Sequence, residues 1–203
     1  MGPLQGKCDV ICVTDGNFHG TGERRVREFH SSCAAMGVLR AVVLGFEDTP
    51  YYHLPLEDLI KQLRAQDEAV NYDLILTHSP TGEYGHINHM DTSLAVHEAF
   101  YGQKTVLSVG YQTHSDFVLL MDKAVYLSKF SIGLKHYPDE FKGGFWRDYG
   151  SITPAEFYNE LELEEVRLIT RFLTSREGDL TSLNGGRFEH LIPLLESQKL
   201  LGI

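Results

Sequence analysis

Three short apolar runs alternate with two helix-periodic stretches over the first 77 residues, and this pattern leaves few folds open. Asp9-Val-Ile-Cys-Val-Thr14 reads as a buried strand that stops at Asp15-Gly16, followed by a Gly-rich turn from Gly16 to Gly22. Val26, Phe29, Cys33 and Met36 then recur at spacings of three, four and three, one apolar stripe of a helix, with Gly37 placed to end it. Val38 to Phe46 reads as a second strand. Leu56, Leu59, Ile60 and Leu63 stripe a second helix with Pro55 near its start, and Tyr72 to Thr77 reads as a third strand. Strand, helix, strand, helix, strand at this spacing predicts parallel βαβ units with right-handed crossovers. The expected class is α/β, a Rossmann-like, doubly wound, mainly parallel sheet. The strands ending at Asp15, Phe46 and Thr77 should lie in one layer with their carboxyl ends together.

No repeat, low-complexity tract or linker divides the chain, so residues 1–203 are read as a single domain. Beyond about residue 105, Val-Leu-Ser-Val-Gly-Tyr and Asp-Phe-Val-Leu-Leu-Met-Asp look like strands. Thr153-Pro154-Ala155-Glu156 has the form of a capping box with Pro at the first helical position. It predicts a long amphipathic helix running to about Ser175, and Phe188 to Leu201 predicts a short helix broken near Pro193.

Charge narrows the partners. Eighteen Lys and Arg against 28 Asp and Glu give a formal charge of −10, a poor match for a phosphate backbone or an anionic membrane surface. No apolar run approaches the ~20 residues of a membrane span, and the N-terminus lacks the pattern of a signal peptide. Cys8 and Cys12, in one strand, are separated by roughly 13 Å, too far for a disulfide. Cys33 leaves the count odd, and the simple expectation is a reducing, cytoplasmic setting.

Ligands of open parallel sheets gather outside the carboxyl ends of the strands. Here those ends carry Asp15, the Glu47-Asp48 pair and His78. The most informative stretch follows the third strand, Thr77 to Phe100, where a polar loop with Gly82 and Gly85 leads into His86 and His89 at a helix opening. A spacing of three puts both imidazoles on one side of that helix, and imidazole is a common zinc ligand. Surface His pairs at this spacing are common, so the spacing by itself decides little. His97, His114, His136 and His190 have no such company and are read as structural or exposed, with His136-Tyr-Pro-Asp-Glu140 a surface turn.

The surroundings add what the spacing lacks. Gly-Glu-Tyr-Gly-His-x-x-His after a strand ending Thr-His resembles the PIG-L/LmbE-like zinc de-N-acetylase family. The stretch from Val10 to Val38 resembles the same family's second strand, its Thr-Asp-Gly turn and its Arg-x-x-Glu helix, here Arg25 and Glu28. The resemblance is strongest over residues 8–101 and loose beyond. It implies a Rossmann-like fold and one zinc ion. The implied reaction is hydrolysis of an N-acetyl group from an N-acetylglucosamine-type sugar conjugate. By the same resemblance His89 binds the metal, and His86 stabilises the oxyanion or protonates the leaving amine. Arg25 could orient sugar hydroxyls or a phosphate, or could simply pair with Glu28 or Glu23.

The family's Ala-His-Pro-Asp-Asp-Glu motif, carrying two zinc ligands and the general base, does not occur in the sequence. On this reading a first βα unit is missing. The chain is then either a truncated deacetylase or a variant, one that lost the chemistry or rebuilt the site from Asp15, His19 or His78. Asp15 is a candidate catalytic residue and His78 a candidate substrate contact. With one implied ligand, zinc binding should be weak or absent, and a carbohydrate- or partner-binding role without turnover stands as the alternative.

Overall fold

The structure is a computed structural model, and it describes residues 7–49, 51–110, 115–142 and 155–175. The expected helix over 188–201 lies outside the described residues. Two compact units emerge, Met1–Thr49 with Leu119–Glu156, and Pro50–Val118 with Phe157–Ile203.

In the first unit, β1 (Asp9–Thr14) pairs in parallel with β2 (Arg40–Phe46) across α1 (Gly22–Met36). The periodicity set α1 correctly, and Gly37, at φ 73°, ends it by returning its N–H to the Ala34 and Cys33 carbonyls. The β1–β2 register slips by one residue, from Cys12 opposite Val43 to Thr14 opposite Phe46. Gly45, at φ 78°, sits in that slip, a bulge that only a residue without Cβ enters cheaply. The Asp15 N–H donates to the Phe46 carbonyl at 2.8 Å, so the carboxyl ends of β1 and β2 do lie together. Helix α5 (Lys123–His136) and the short α6 (Pro138–Lys142) complete the unit, and α5 packs on α1. The His136 to Glu140 stretch, expected as a surface turn, is therefore the end of one helix and the start of another.

In the second unit, α2 (Leu56–Val70) precedes β3 (Leu74–Thr77). The one-turn α3 (Gly82–Gly85) leads into α4 (Ile87–Phe100) and then β4 (Thr105–Val109). The polar loop of the sequence reading thus contains a helical turn. Strand β3 pairs in parallel with β4, from Leu74 opposite Thr105 to Thr77 opposite Ser108. The sheet continues through β6 (Ala155–Asn159) to β5 (Phe117–Leu120) in the order β3-β4-β6-β5. Helix α7 (Leu163–Ser175) buries Val166, Ile169 and Phe172 with Leu161, and Leu94 of α4 packs against this cluster. Leu59 and Leu63 of α2 are buried, and α2 packs on α4.

Two expectations need correcting. Strands β1 and β2 form a two-stranded sheet of their own, and β3 belongs to the other sheet. Among the described residues, the expected hydrogen bonding of all three strands into one sheet is not seen. Strand β3 has only four residues, bonds along one edge to β4, and leaves Leu74 and Leu76 exposed, as an edge strand does. Second, residues 155–159 are a strand rather than the start of a helix, and α7 begins only at Leu163. The capping-box pattern is a local preference. It loses to antiparallel pairing with β4, Ser108 opposite Asn159 and Val109 opposite Tyr158, in which Phe157 and Tyr158 suit a pleated surface.

Candidate metal centre after the third strand

The segment from His78 to His89 turns sharply, and its turns have identifiable causes. Gly82, Glu83 and Gly85 all have positive φ, at 66°, 58° and 88°. Glycine enters that region freely, but Glu83 does so at a cost and must be held there. Its holders are visible. Glu83 Oε1 accepts the Ser79 N–H at 2.8 Å, while Oε2 lies 3.1 Å from His78 Nδ1 and 2.5 Å from His89 Nδ1. Ser79 and Thr81 brace the preceding turn through a hydroxyl pair at 2.8 Å.

The imidazoles stack. His78 and His89 have ring centroids 3.9 Å apart at an interplanar angle of 15°, and His86 stacks on His89 at 4.6 Å and 27°. His86 occupies the N-cap position of α4, which places His89 in its first turn. One ligand atom from each of His78, Glu83 and His89 lies within 4.8 Å of the others, and all three side chains are partly exposed. Burial raises the Glu83 carboxyl, but hydrogen bonds with His78 and His89, the charge of His78 and the Ser79 N–H together outweigh it. They hold the group well below the ordinary carboxylate range.

Two imidazoles and a carboxylate are a donor set that suits zinc. The structure therefore brings His78 and His89 together and stacks His86 beside His89. The sequence reading gave Glu83 no role although it stood inside the quoted motif. A carboxylate five residues after a strand-end His, in a loop with two glycines, was the available signal.

The other candidates lie in the first unit, each with local partners. Asp15 Oδ1 accepts the N–H groups of Asn17 at 2.9 Å and Asp48 at 3.2 Å, tying the β1 and β2 ends together. Arg25 pairs with Glu28 at 3.1 Å and Glu140 at 3.0 Å, and its guanidinium lies 5.3 Å from the Tyr137 ring centre. His19 is exposed and packs its ring against Phe18 at 4.5 Å. Among the described residues, no helix is long and apolar enough to cross a membrane.

Comparison with known proteins gives these side chains a family context. Residues 4–100 match the PIG-L family, GlcNAc-PI de-N-acetylase. The N-acetylglucosaminyl-phosphatidylinositol de-N-acetylase of Saccharomyces cerevisiae is 30% identical over 95 residues, covering 43% of this chain and 31% of the yeast protein. The chain thus spans well under half of that relative's length. Among solved structures, the N,N'-diacetylchitobiose deacetylase of Pyrococcus horikoshii superposes with a TM-score of 0.57 at 14% identity, covering 77% of this chain and 73% of the other. The A40926 pseudoaglycone deacetylase Dbv21 gives a TM-score of 0.57 at 15% identity, covering 75% and 84% respectively. At those identities the likeness is one of fold, a mixed α/β arrangement with open sheets. Over residues 4–100 the chain is thus similar in sequence to the PIG-L family, GlcNAc-PI de-N-acetylase, and its fold resembles that of solved deacetylases.

Proposed function

We propose that this protein is a metal-dependent hydrolase removing the N-acetyl group from an N-acetylglucosamine-type sugar conjugate. The observation that carries this reading is the stacked His86–His89 pair at the opening of α4, within the segment that matches the family. The related yeast protein supports the substrate class, since its name specifies an N-acetylglucosaminyl lipid. The parallel pairs β1–β2 and β3–β4 support a Rossmann-like, doubly wound sheet as the scaffold. The three free thiols Cys8, Cys12 and Cys33 support a cytoplasmic setting.

In the reaction, water adds to the acetyl carbonyl, the C–N bond breaks, and acetate leaves with the free amine taking up a proton. His89 is the residue that would hold a zinc ion. Bound there, zinc supplies a Lewis acid for the carbonyl oxygen and lowers the pKa of a water toward ~7. His86, stacked on His89 and half-buried, is the proton carrier. Its imidazole takes the proton of the attacking water and returns it to the leaving nitrogen, two duties that one group performs in sequence. Asp15 is the other residue that the sequence offers as a base for the first of these steps.

The test is acetate release from an N-acetylglucosaminide by zinc-supplemented protein. His86→Ala should reduce turnover by about 100-fold or more, the range of a lost acid–base group, and Asp15→Asn should leave most of it. A collapse with Asp15→Asn and none with His86→Ala would move the base to Asp15. A second reading, a carbohydrate- or partner-binding relative without turnover, is favoured by one fact. The 203 residues contain no Ala-His-Pro-Asp-Asp-Glu. Saturable glycoside binding with no acetate released would establish it.

A further inference from the structure

We infer that His78, Glu83 and His89 together form a complete three-donor site for a zinc-class divalent ion, built within residues 78–89. The inference deepens the proposed function and rests on it only for the choice of zinc. The family resemblance supplies His89 alone from this stretch, and places the other ligands in a motif that the sequence does not contain. The donors here come from the strand-end His, the α3 turn and the first turn of α4.

Three features point the same way. The first is spacing. In a tetrahedral site with bonds of ~2.0–2.1 Å, ligand atoms stand about 3.4 Å apart. The two imidazole Nδ1 atoms already lie 3.1 and 2.5 Å from one Glu83 oxygen, and one atom of each residue falls within 4.8 Å of the others. To bind a common centre in their ring planes, the two imidazoles would turn out of the parallel stack they form. The second is backbone strain. Glu83 is a non-glycine residue at φ 58°, a conformation that costs of order 1–3 kcal/mol and concentrates at functional sites. What that conformation achieves is to deliver a carboxylate between two imidazoles. The third is division of labour in the carboxylate. Oε1 is fixed by the Ser79 N–H, which leaves Oε2 aimed at both His rings, an oriented ligand with its supporting hydrogen bond in place.

The chemistry of the set agrees with the choice of zinc. Two neutral nitrogens and one carboxylate suit zinc and disfavour calcium or magnesium, which require mostly oxygen donors. Side-chain exposures of 41%, 28% and 27% for His78, Glu83 and His89 leave an open side, where a catalytic zinc keeps its fourth position. This assignment moves His78 from substrate contact to metal ligand and leaves His86 outside the ligand set.

The site is tested with the full chain and zinc alone, with no substrate. Equilibrium dialysis should find one zinc per chain, and X-ray absorption of the loaded wild-type protein should count two imidazoles. Glu83→Gln, nearly isosteric, and His78→Phe, which keeps a ring to stack, should each weaken zinc by more than the ~10–100-fold typical of a lost supporting contact. Cobalt substitution should give visible ligand-field bands that change in both variants and persist in Asp15→Asn. One imidazole in the absorption spectrum, or zinc affinity unchanged by both substitutions, would overturn the assignment. Zinc bound through these three residues without acetate release would sink the proposed activity and leave the metal site standing. Acetate release with zinc binding insensitive to both substitutions would do the reverse.

Discussion

The imidazoles of His78 and His89 lie nearly parallel, 3.9 Å between ring centres, although eleven positions separate them in sequence. One directly follows β3 and the other stands in the first turn of α4. Glu83 touches both, so this relationship depends on the turn between them keeping its path.

That path depends on Gly82. A Cβ at this position would sit 3.0 Å from Met90 Cγ, on a backbone at φ 66°. Gly82→Ala should lower stability by more than the ~1–2 kcal/mol of the left-handed conformation alone, and should weaken zinc binding along with it. Gly102→Ala provides the control, since Gly102 has φ 73° but nothing within 4 Å of its Cβ. Urea unfolding of the two variants side by side should show the larger loss for Gly82.

Asp91, buried in α4, organises the entry to α2. Its carboxylate accepts the Leu54 N–H at 2.8 Å and lies 2.8 Å from His53 Nδ1. Asp91→Ala would leave a buried backbone N–H unpaired, a loss of about 1–3 kcal/mol. His53 is half-exposed, and His53→Ala should cost far less. Thermal unfolding of both single variants and the double variant should show the cost residing in Asp91.

His97 sets an acid limit on stability. It is fully buried, its Nδ1 lies 2.7 Å from the Ser93 carbonyl, and its Nε2 has no hydrogen-bond partner among the described residues. Burial pushes its pKa down, against a smaller opposing effect of the Ser93 hydrogen bond. A folded-state pKa below the unfolded ~6.5 means that protonation favours the unfolded chain. The contribution is complete above about pH 6.5 and is lost as pH falls through that value toward the folded-state pKa. Urea midpoints should drop between about pH 7.5 and about pH 5.5. His97→Leu should flatten this part of the profile.

The core of the second unit should respond as a packed interior. Leu59 is completely buried on α2, and Leu59→Ala should cost about 2–5 kcal/mol through lost burial and a residual cavity. Lys61, exposed on the same helix, should tolerate Ala to within ~0.5 kcal/mol.

The sequence by itself determined the elements whose signals are local. Strand β1 from Asp9 to Thr14, the stripe and Gly37 stop of α1, and the opening of α4 at His86 all follow from side-chain periodicity and from glycine's access to positive φ. His89 stood out as a candidate metal ligand because its neighbours form a motif readable along the chain. Tertiary structure decided what depends on partners distant in sequence. Residues 155–159 became a strand because β4 offered an edge to pair with, and no local pattern encodes that edge. Strand β3 joined β4 rather than β1 and β2, a choice between sheet edges that periodicity does not register. Glu83 became the bridge between His78 and His89 only once Gly82, Glu83 and Gly85 had taken positive-φ backbone. A carboxylate's role is set by what its oxygens meet, and that is a property of the folded loop rather than of the residue.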